Sequence, residues 1–370
     1  MVIYAVGSFG FIKNLVEKVR KQNFGGKMLR KLKYALPIAL ATSLATGSLQ
    51  ANTLAKHYKG KTVSIIIPYG PGGTYDKYGS TFARHIGRHI PGDPTVIVQY
   101  MPGAGGSKAM NYMYNAAPKY GYVTTVPLDN IVVNQVLRPK KMRYKANKFT
   151  WLGSSNQTNS VMVVASRTGV HKIMDAKTKP IIGSTAGYSS STFLFCKLAA
   201  GLLGLKIKMI AGYKGSSRSM FAIETGEADM TAPNWLAWDS KVPHWFGGKK
   251  PFAKAVLQNG VFVDPDLPNV PMLSDLVKPK DKPLVMFLAS AGPLGRGLTM
   301  PPGVPKNLIP GLRSAYKKMN ADPRFRAELK KRRLRLISST GEQIQKVVED
   351  ALKATSPAVV KRVRKIVYGK

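Results

Sequence analysis

The sequence predicts an α/β fold of two domains, each a mostly parallel sheet flanked by helices. Three observations carry this. The chain has 370 residues, too long for one ordinary domain and suited to two. Short β-branched runs alternate with helix-like segments, the order that builds parallel sheets covered by helices. Two glycine-rich loops stand at strand-to-helix joins about 30 residues apart, where open sheets bind ligands beyond the carboxyl ends of their strands.

The elements follow in order. Val63 to Ile67 reads as a buried strand. Tyr75 to His89 reads as a helix, because Tyr78, Phe82, Ile86 and Ile90 recur at every fourth position on one face. Thr95 to Gln99 is the next strand, Ser107 to Ala116 a helix, and Tyr122 to Val126 a strand. Strands are expected again at Val161 to Ala165, Pro180 to Gly183, Lys206 to Ala211 and Ala228 to Thr231. Helices are expected at Ser190 to Leu203 and Ser216 to Gly226. Val285 to Ala291 is apolar and reads as strand-like, and the glycines and prolines of 292–305 mark loop. Leu308, Leu312, Ala315, Tyr316 and Met319 form one amphipathic helix, and Ile344, Val347, Val348 and Ala351 another. The expected division is a leader over 1–51, a first lobe of 52–158 with 290–370, and a second lobe of 159–289.

Met28 to Lys33 is basic, Ala35 to Ala45 is apolar, and Ser48-Leu49-Gln50-Ala51 offers small residues for cleavage. This is a secretory signal pattern, too short to span a membrane, and Met28 is the expected true start. Apolar residues make up 44% of the chain, enough for sizeable cores, and the apolar-periodic segments that recur throughout exclude disorder. Lys and Arg number 57 against 18 Asp and Glu, a formal charge of +39 that attracts any anion. The basic residues are scattered, and no nucleic-acid reader motif accompanies them, so no nucleic-acid partner is expected. The single cysteine, Cys196, lies in an apolar run, without a base to activate it. His85 and His89 share a helix face, but the glutamate of a metalloprotease motif is absent and Arg88 repels a cation, so no metal is expected. No Gly-x-Ser-x-Gly elbow stands at a strand-to-helix turn, and no enzyme is expected.

The loops carry the remaining candidate chemistry. Pro68-Tyr69-Gly70-Pro71-Gly72-Gly73-Thr74-Tyr75-Asp76 joins a strand to a helix. Its glycines let backbone approach a ligand, and the helix start offers free N–H groups to an anion. It is neither a phosphate loop nor a dinucleotide fingerprint, so no nucleotide cofactor is expected. Met101-Pro102-Gly103-Ala104-Gly105-Gly106-Ser107 repeats the arrangement. Ser189 to Thr192 open an apolar helix and offer caps and amides to a second oxyanion.

These two loops, with Ala116-Ala117-Pro118-Lys119-Tyr120-Gly121-Tyr122, resemble the substrate-binding receptors of tripartite tricarboxylate transporters. Gly183 to Ser190, Tyr213-Lys214-Gly215-Ser216, Thr225 to Asp229, Pro268-Asn269-Val270-Pro271 and Pro302-Gly303-Val304-Pro305 extend the resemblance over roughly residues 60–365. Ser189 departs from the glycine common there, and Trp235, Trp238, Trp245 and Phe246 mark an unusual stretch expected to pack in a core or between the lobes, with the lining of a pocket as the alternative. The resemblance implies a two-lobed periplasmic binding protein of type II-like form, with no cofactor, that captures a small organic acid in a ligand cleft between its lobes. It implies delivery to large and small integral-membrane permease subunits. A solute sensor and a polyanion binder are the alternatives, and a monomer is expected. Carried over by position, the first lobe supplies Tyr69, Gly72, Gly73, Thr74, Tyr75, Asp76 and Gly105. The second supplies Ser189, Ser190, Ser191, Tyr213, Lys214 and Gly215. Affinity is expected from converging loop amides, without a buried arginine.

Overall fold

The computed structural model describes residues 52–157 and 159–369; the leader expected over 1–51 lies outside the described residues. The first sheet is built around β1 (Thr62–Ile67), whose side chains from Ile65 to Ile67 are buried. β2 (Thr95–Tyr100) and β3 (Val123–Thr125) flank it in parallel. β10 (Gly297–Met300) returns antiparallel to β3 and to β4 (Thr150–Ser154), and β11 (Ser339–Thr340) closes that edge. The order is β11-β4-β10-β3-β1-β2.

The second sheet has the order β7-β6-β8-β5-β9. β6 (Ile181–Thr185) pairs in parallel with β7 (Ile207–Ala211) and β8 (Met230–Thr231). β5 (Ser160–Ala165) runs antiparallel to β8 and to β9 (Ala253–Asn259). Each sheet thus keeps parallel pairs at one end and antiparallel pairs where the chain passes from one lobe to the other.

Helices cover both sheets because their apolar stripes have nowhere else to go. α1 (Thr74–Ile86) lays Tyr78, Phe82 and Ile86 into the first core. There Phe82 meets Tyr316 of α9 (Ile309–Ala321) and Phe325 of α10 (Pro323–Lys331). Full burial of each such side chain contributes on the order of 1.5–3 kcal/mol. α2 (Ser107–Asn115), α3 (Ile131–Leu137) and α11 (Gly341–Ala354) also pack here. In the second lobe, α4 (Ser191–Leu203) starts where Ser190 Oγ accepts from Phe193 N at 3.2 Å and stops at Gly204, whose φ of +70° suits glycine. Cys196 is fully buried in it, and burial pushes its thiol well above the ordinary range. α5 (Ser216–Glu224) and α6 (Trp235–Lys241) complete the other face. Trp235, Trp238 and Trp245 are buried in the core beneath that face, with Phe246 packed on it.

The apolar run Val285 to Ala291 is a helix rather than a strand. After the short α7 (Leu273–Leu276), α8 (Lys282–Ala289) begins with Pro283 in its first turn and buries Leu284, Val285, Leu288 and Ala289. A short apolar run does not by itself distinguish a strand from a buried helix. The last helix, α12 (Pro357–Tyr368), places Val363 and Val367 against Phe193, Leu194 and Leu198 of α4 and Leu284 and Leu288 of α8. No helix of the described residues is long and apolar enough to cross a membrane.

Candidate ligand-binding cleft

The first glycine loop leaves the carboxyl end of β1 and enters α1 at Thr74. Gly72 takes φ +87°, and its N–H donates to Asp76 Oδ2 at 2.7 Å. Tyr100, at the end of β2, donates its hydroxyl to Asp76 Oδ1, also at 2.7 Å. Asp76 therefore ties the loop to the sheet. Gly70 N donates to Lys214 O of the second lobe at 2.6 Å. Gly73 faces Ser216, so closely that an added Cβ would lie 2.8 Å from Ser216 Oγ.

The second glycine loop supports this assembly from behind. Tyr69 donates its hydroxyl to Gly105 O at 3.0 Å. Gly105 has φ +67°, and a Cβ there would lie 2.6 Å from Ser190 N. Gly187 approaches from the other side, where a Cβ would stand 2.7 Å from Gly105 N. The second glycine loop and the segment from Gly187 to Ser190 are thus pressed together, backbone on backbone.

Other cross-lobe bonds surround the cleft. Asn130 and Asn134 Nδ2 each donate to Ser189 O at 2.8 Å, and Arg138 Nη1 donates to Ser189 Oγ at 2.7 Å. Ser191 Oγ donates to Asp129 Oδ1 at 2.5 Å, and Asn234 Nδ2 to Thr74 Oγ1 at 3.1 Å. Lys77 Nζ reaches Ser240 O at 2.6 Å. Arg333 pairs with Asp239, and Arg335 with Asp264 and Asp266.

Between the lobes lies an open cavity. Of the residues expected from sequence, Tyr69, Gly73, Thr74, Tyr75, Ser190, Ser191 and Gly215 line it. Gly72, Asp76, Gly105, Ser189, Tyr213 and Lys214 stand outside the lining. Asp76 and Gly72 brace the first loop; Gly105 and Ser189 join the lobes. Tyr213 donates to Glu227 at 2.6 Å, and burial with that carboxylate raises its hydroxyl to about 12. Lys214 contributes its carbonyl to Gly70.

The cavity also holds residues that the sequence did not single out, above all Asp129, Asn234 and Arg296. Arg296 is only 2% exposed, so the cleft does contain a buried arginine. Its guanidinium carbon lies 3.6 Å from the centre of the Tyr75 ring, a cation–π stack. Nη1 donates to Gly295 O at 2.8 Å and pairs with Asp129 Oδ2 at 3.3 Å. Nη2 reaches Thr74 Oγ1 at 3.4 Å, and Nε has no partner among the described residues. Burial opposes the charge, yet the Tyr75, Asp129 and Tyr69 oxygens hold the arginine above its ordinary pKa. Burial likewise raises Tyr75 and Tyr69, so both remain hydroxyl donors.

Topology explains why these residues meet. Asp129 follows the carboxyl end of β3, where ligands of open sheets bind. β10 runs antiparallel to β3, so its amino end, and Arg296 just before it, reach the same edge. Asn234 caps α6 by accepting from Ala237 N at 3.1 Å, immediately beyond β8. The Asp129 position was available from the strand-end rule; Arg296 was hidden by the glycines and prolines around it. His85 and His89 are engaged by Glu328 at 2.7 Å and Asp322 at 3.1 Å.

Residues 88–364 match the family model described as the tripartite tricarboxylate transporter family receptor. A UPF0065 protein of Bordetella pertussis (strain Tohama I) is 22% identical over 333 residues, covering 87% of this chain and 97% of that protein. Among solved structures, the periplasmic binding protein BugD superposes with a TM-score of 0.67 at 17% identity, covering 84% of this chain and 98% of that one. Rhodopseudomonas palustris MatC with bound malate gives 0.63 at 17% identity, covering 83% and 99%. Rpa4515 of R. palustris with adipate gives 0.64 at 17% identity, covering 83% and 97%. These structures share the two-lobed binding-protein fold. With a cleft between two lobes and the family model spanning most of its length, the chain belongs to the tripartite tricarboxylate transporter receptor family, a family of solute-binding proteins rather than enzymes.

Proposed function

We propose that this receptor captures a small organic acid in the periplasm, between a first lobe of 52–158 with 290–370 and a second of 159–289, and delivers it to integral-membrane permease subunits. The observation that carries this is the cavity itself: Thr74 and Tyr75 at the start of α1, Ser190 and Ser191 at the start of α4, and Arg296 all line it. Two helix starts and a guanidinium favour oxyanions. The relatives with malate and adipate support the chemical class. Residues on both lobes meet around the ligand only when the lobes are together, so binding shifts the population toward the closed form the permease recognises. We assign ligand contact to Tyr69, Gly73, Thr74, Tyr75, Ser190, Ser191 and Gly215. Gly72, Asp76, Gly105, Ser189, Tyr213 and Lys214 are assigned to holding the loops.

A thermal-shift screen with mono-, di- and tricarboxylates and amino acids tests the proposal. A true ligand raises the melting temperature progressively with concentration above its Kd. Absence of a shift with every acid, together with DNA binding that collapses as salt rises, would replace the receptor by a polyanion binder.

A further inference from the structure

The cleft carries one buried cation and one buried anion side by side. Arg296 and Asp129 line the same cavity, with Nη1 and Oδ2 3.3 Å apart. The remaining lining is neutral, made of hydroxyls, a side-chain amide, glycines, an alanine, a proline and tyrosine rings. The formal charge of the lining is therefore zero. A dicarboxylate would bring two negative charges to a single guanidinium that already faces Asp129. Excess charge in a desolvated site is costly.

The pair also has unspent bonding capacity. The Nε–Nη2 edge of Arg296 holds only the 3.4 Å contact to Thr74 Oγ1. That edge is a planar two-donor fork, matched to a carboxylate. The Tyr75 ring beneath it fixes its plane. On Asp129, Oδ1 accepts from Asn130 N at 2.8 Å and from Ser191 Oγ at 2.5 Å, whereas Oδ2 has only the 3.3 Å contact to Arg296. A carboxylate oxygen accepts more than one donor, so Oδ2 can take another.

Resting on the receptor reading, we propose that the ligand is a zwitterion, an amino-acid-like molecule whose carboxylate meets Arg296 and whose ammonium meets Asp129. The two charged groups of an α-amino acid hang on one carbon, so their partners must be neighbours, as Arg296 and Asp129 are. The carboxylate and the ammonium then each find a countercharge, and the occupied site remains neutral.

Calorimetric titration of the protein with matched pairs tests this: alanine and propionate, glutamate and glutarate, phenylalanine and 3-phenylpropionate. The tightest-binding amino acid is expected to exceed its deamino partner by about a hundredfold, because the analogue brings no ammonium to Asp129 Oδ2. Asp129→Asn is expected to erase that preference by weakening the amino acid and not the plain acid. Arg296→Lys is expected to weaken both members of each pair. Glutarate or any other deamino acid binding as tightly as its amino partner overturns the zwitterion while leaving the receptor intact. Retention of the preference in a folded Asp129→Asn protein also overturns it. Binding of none of the acids by the unaltered protein sinks the receptor reading and the zwitterion with it. If Asp129→Asn fails to fold, the matched pairs on the unaltered protein decide alone.

Discussion

The two glycine loops look alike in sequence and differ in what they touch. Both follow a parallel strand of the first sheet and both enter a helix. The first brings Gly73, Thr74 and Tyr75 into the cavity. The second does not reach it; Gly105 instead packs against the backbone of Ser189 and Ser190 in the other lobe. Glycine in the first loop makes room for contents of the cleft, and glycine in the second makes room for the cleft to shut. A glycine pattern announces close backbone approach; what approaches is decided by the position of the strand in the sheet.

That contrast can be broken experimentally. The largest effect is expected where the first loop meets charge. Arg296→Met leaves Asp129 buried beside no cation and should lower stability by about 3–5 kcal/mol in urea unfolding. An unchanged unfolding midpoint would show that the pair does not anchor the loop. Gly105→Ala should act on closure. Its positive φ costs an alanine about 1–2 kcal/mol, and crowding of Ser190 adds about 1–3 kcal/mol. Ligand affinity should fall about tenfold to a hundredfold, and solution scattering with ligand should show an opened molecule; full closure would refute the docking role. Gly73→Ala, at φ −83°, meets only a rotatable serine hydroxyl. It should weaken binding about tenfold with stability nearly unchanged, because the methyl group competes for cavity space. Tyr100→Phe removes the bond that braces Asp76 and should cost about 0.5–1.5 kcal/mol of stability without changing ligand preference.

The smallest effect concerns pH. Lys77, one turn into α1, is lowered to about 8, by burial first and then by Arg332 and Lys241. Its proton is held less tightly in the folded than in the unfolded chain. The charged form therefore costs stability below pH 8, and that cost is relieved as pH rises from about 8 toward the ordinary 10.5. Lys77→Met should flatten this part of the stability profile. A Lys77→Met profile that climbs as steeply as before would assign the rise to another group.

Much of the fold was legible because it rests on local patterns. The stripe of Tyr78, Phe82 and Ile86 and the run Ile65-Ile66-Ile67 announce their elements without tertiary information. The antiparallel strand β10 was not legible, being four residues long among glycines and prolines. The run at Val285 reads as a strand from sequence because an eight-residue buried helix and a buried strand share one composition. Within the cleft, the loops that carry backbone to the site were visible. Arg296 and Asp129 were not, since they lie 167 positions apart and only the antiparallel return of β10 joins them. Ser189 stands just before α4, and its carbonyl and hydroxyl face first-lobe asparagines and an arginine.

The burial of Cys196 has a practical side. It is the only thiol in the sequence, and it is fully enclosed with its ionisation suppressed. Thiolate is the reactive form, so the native chain is close to silent toward maleimides. A pair of cysteines introduced on exposed positions, one on each lobe, would then be the only sites to accept fluorophores. Energy transfer between them would report the breathing of the cleft in real time, without any native cysteine having to be removed.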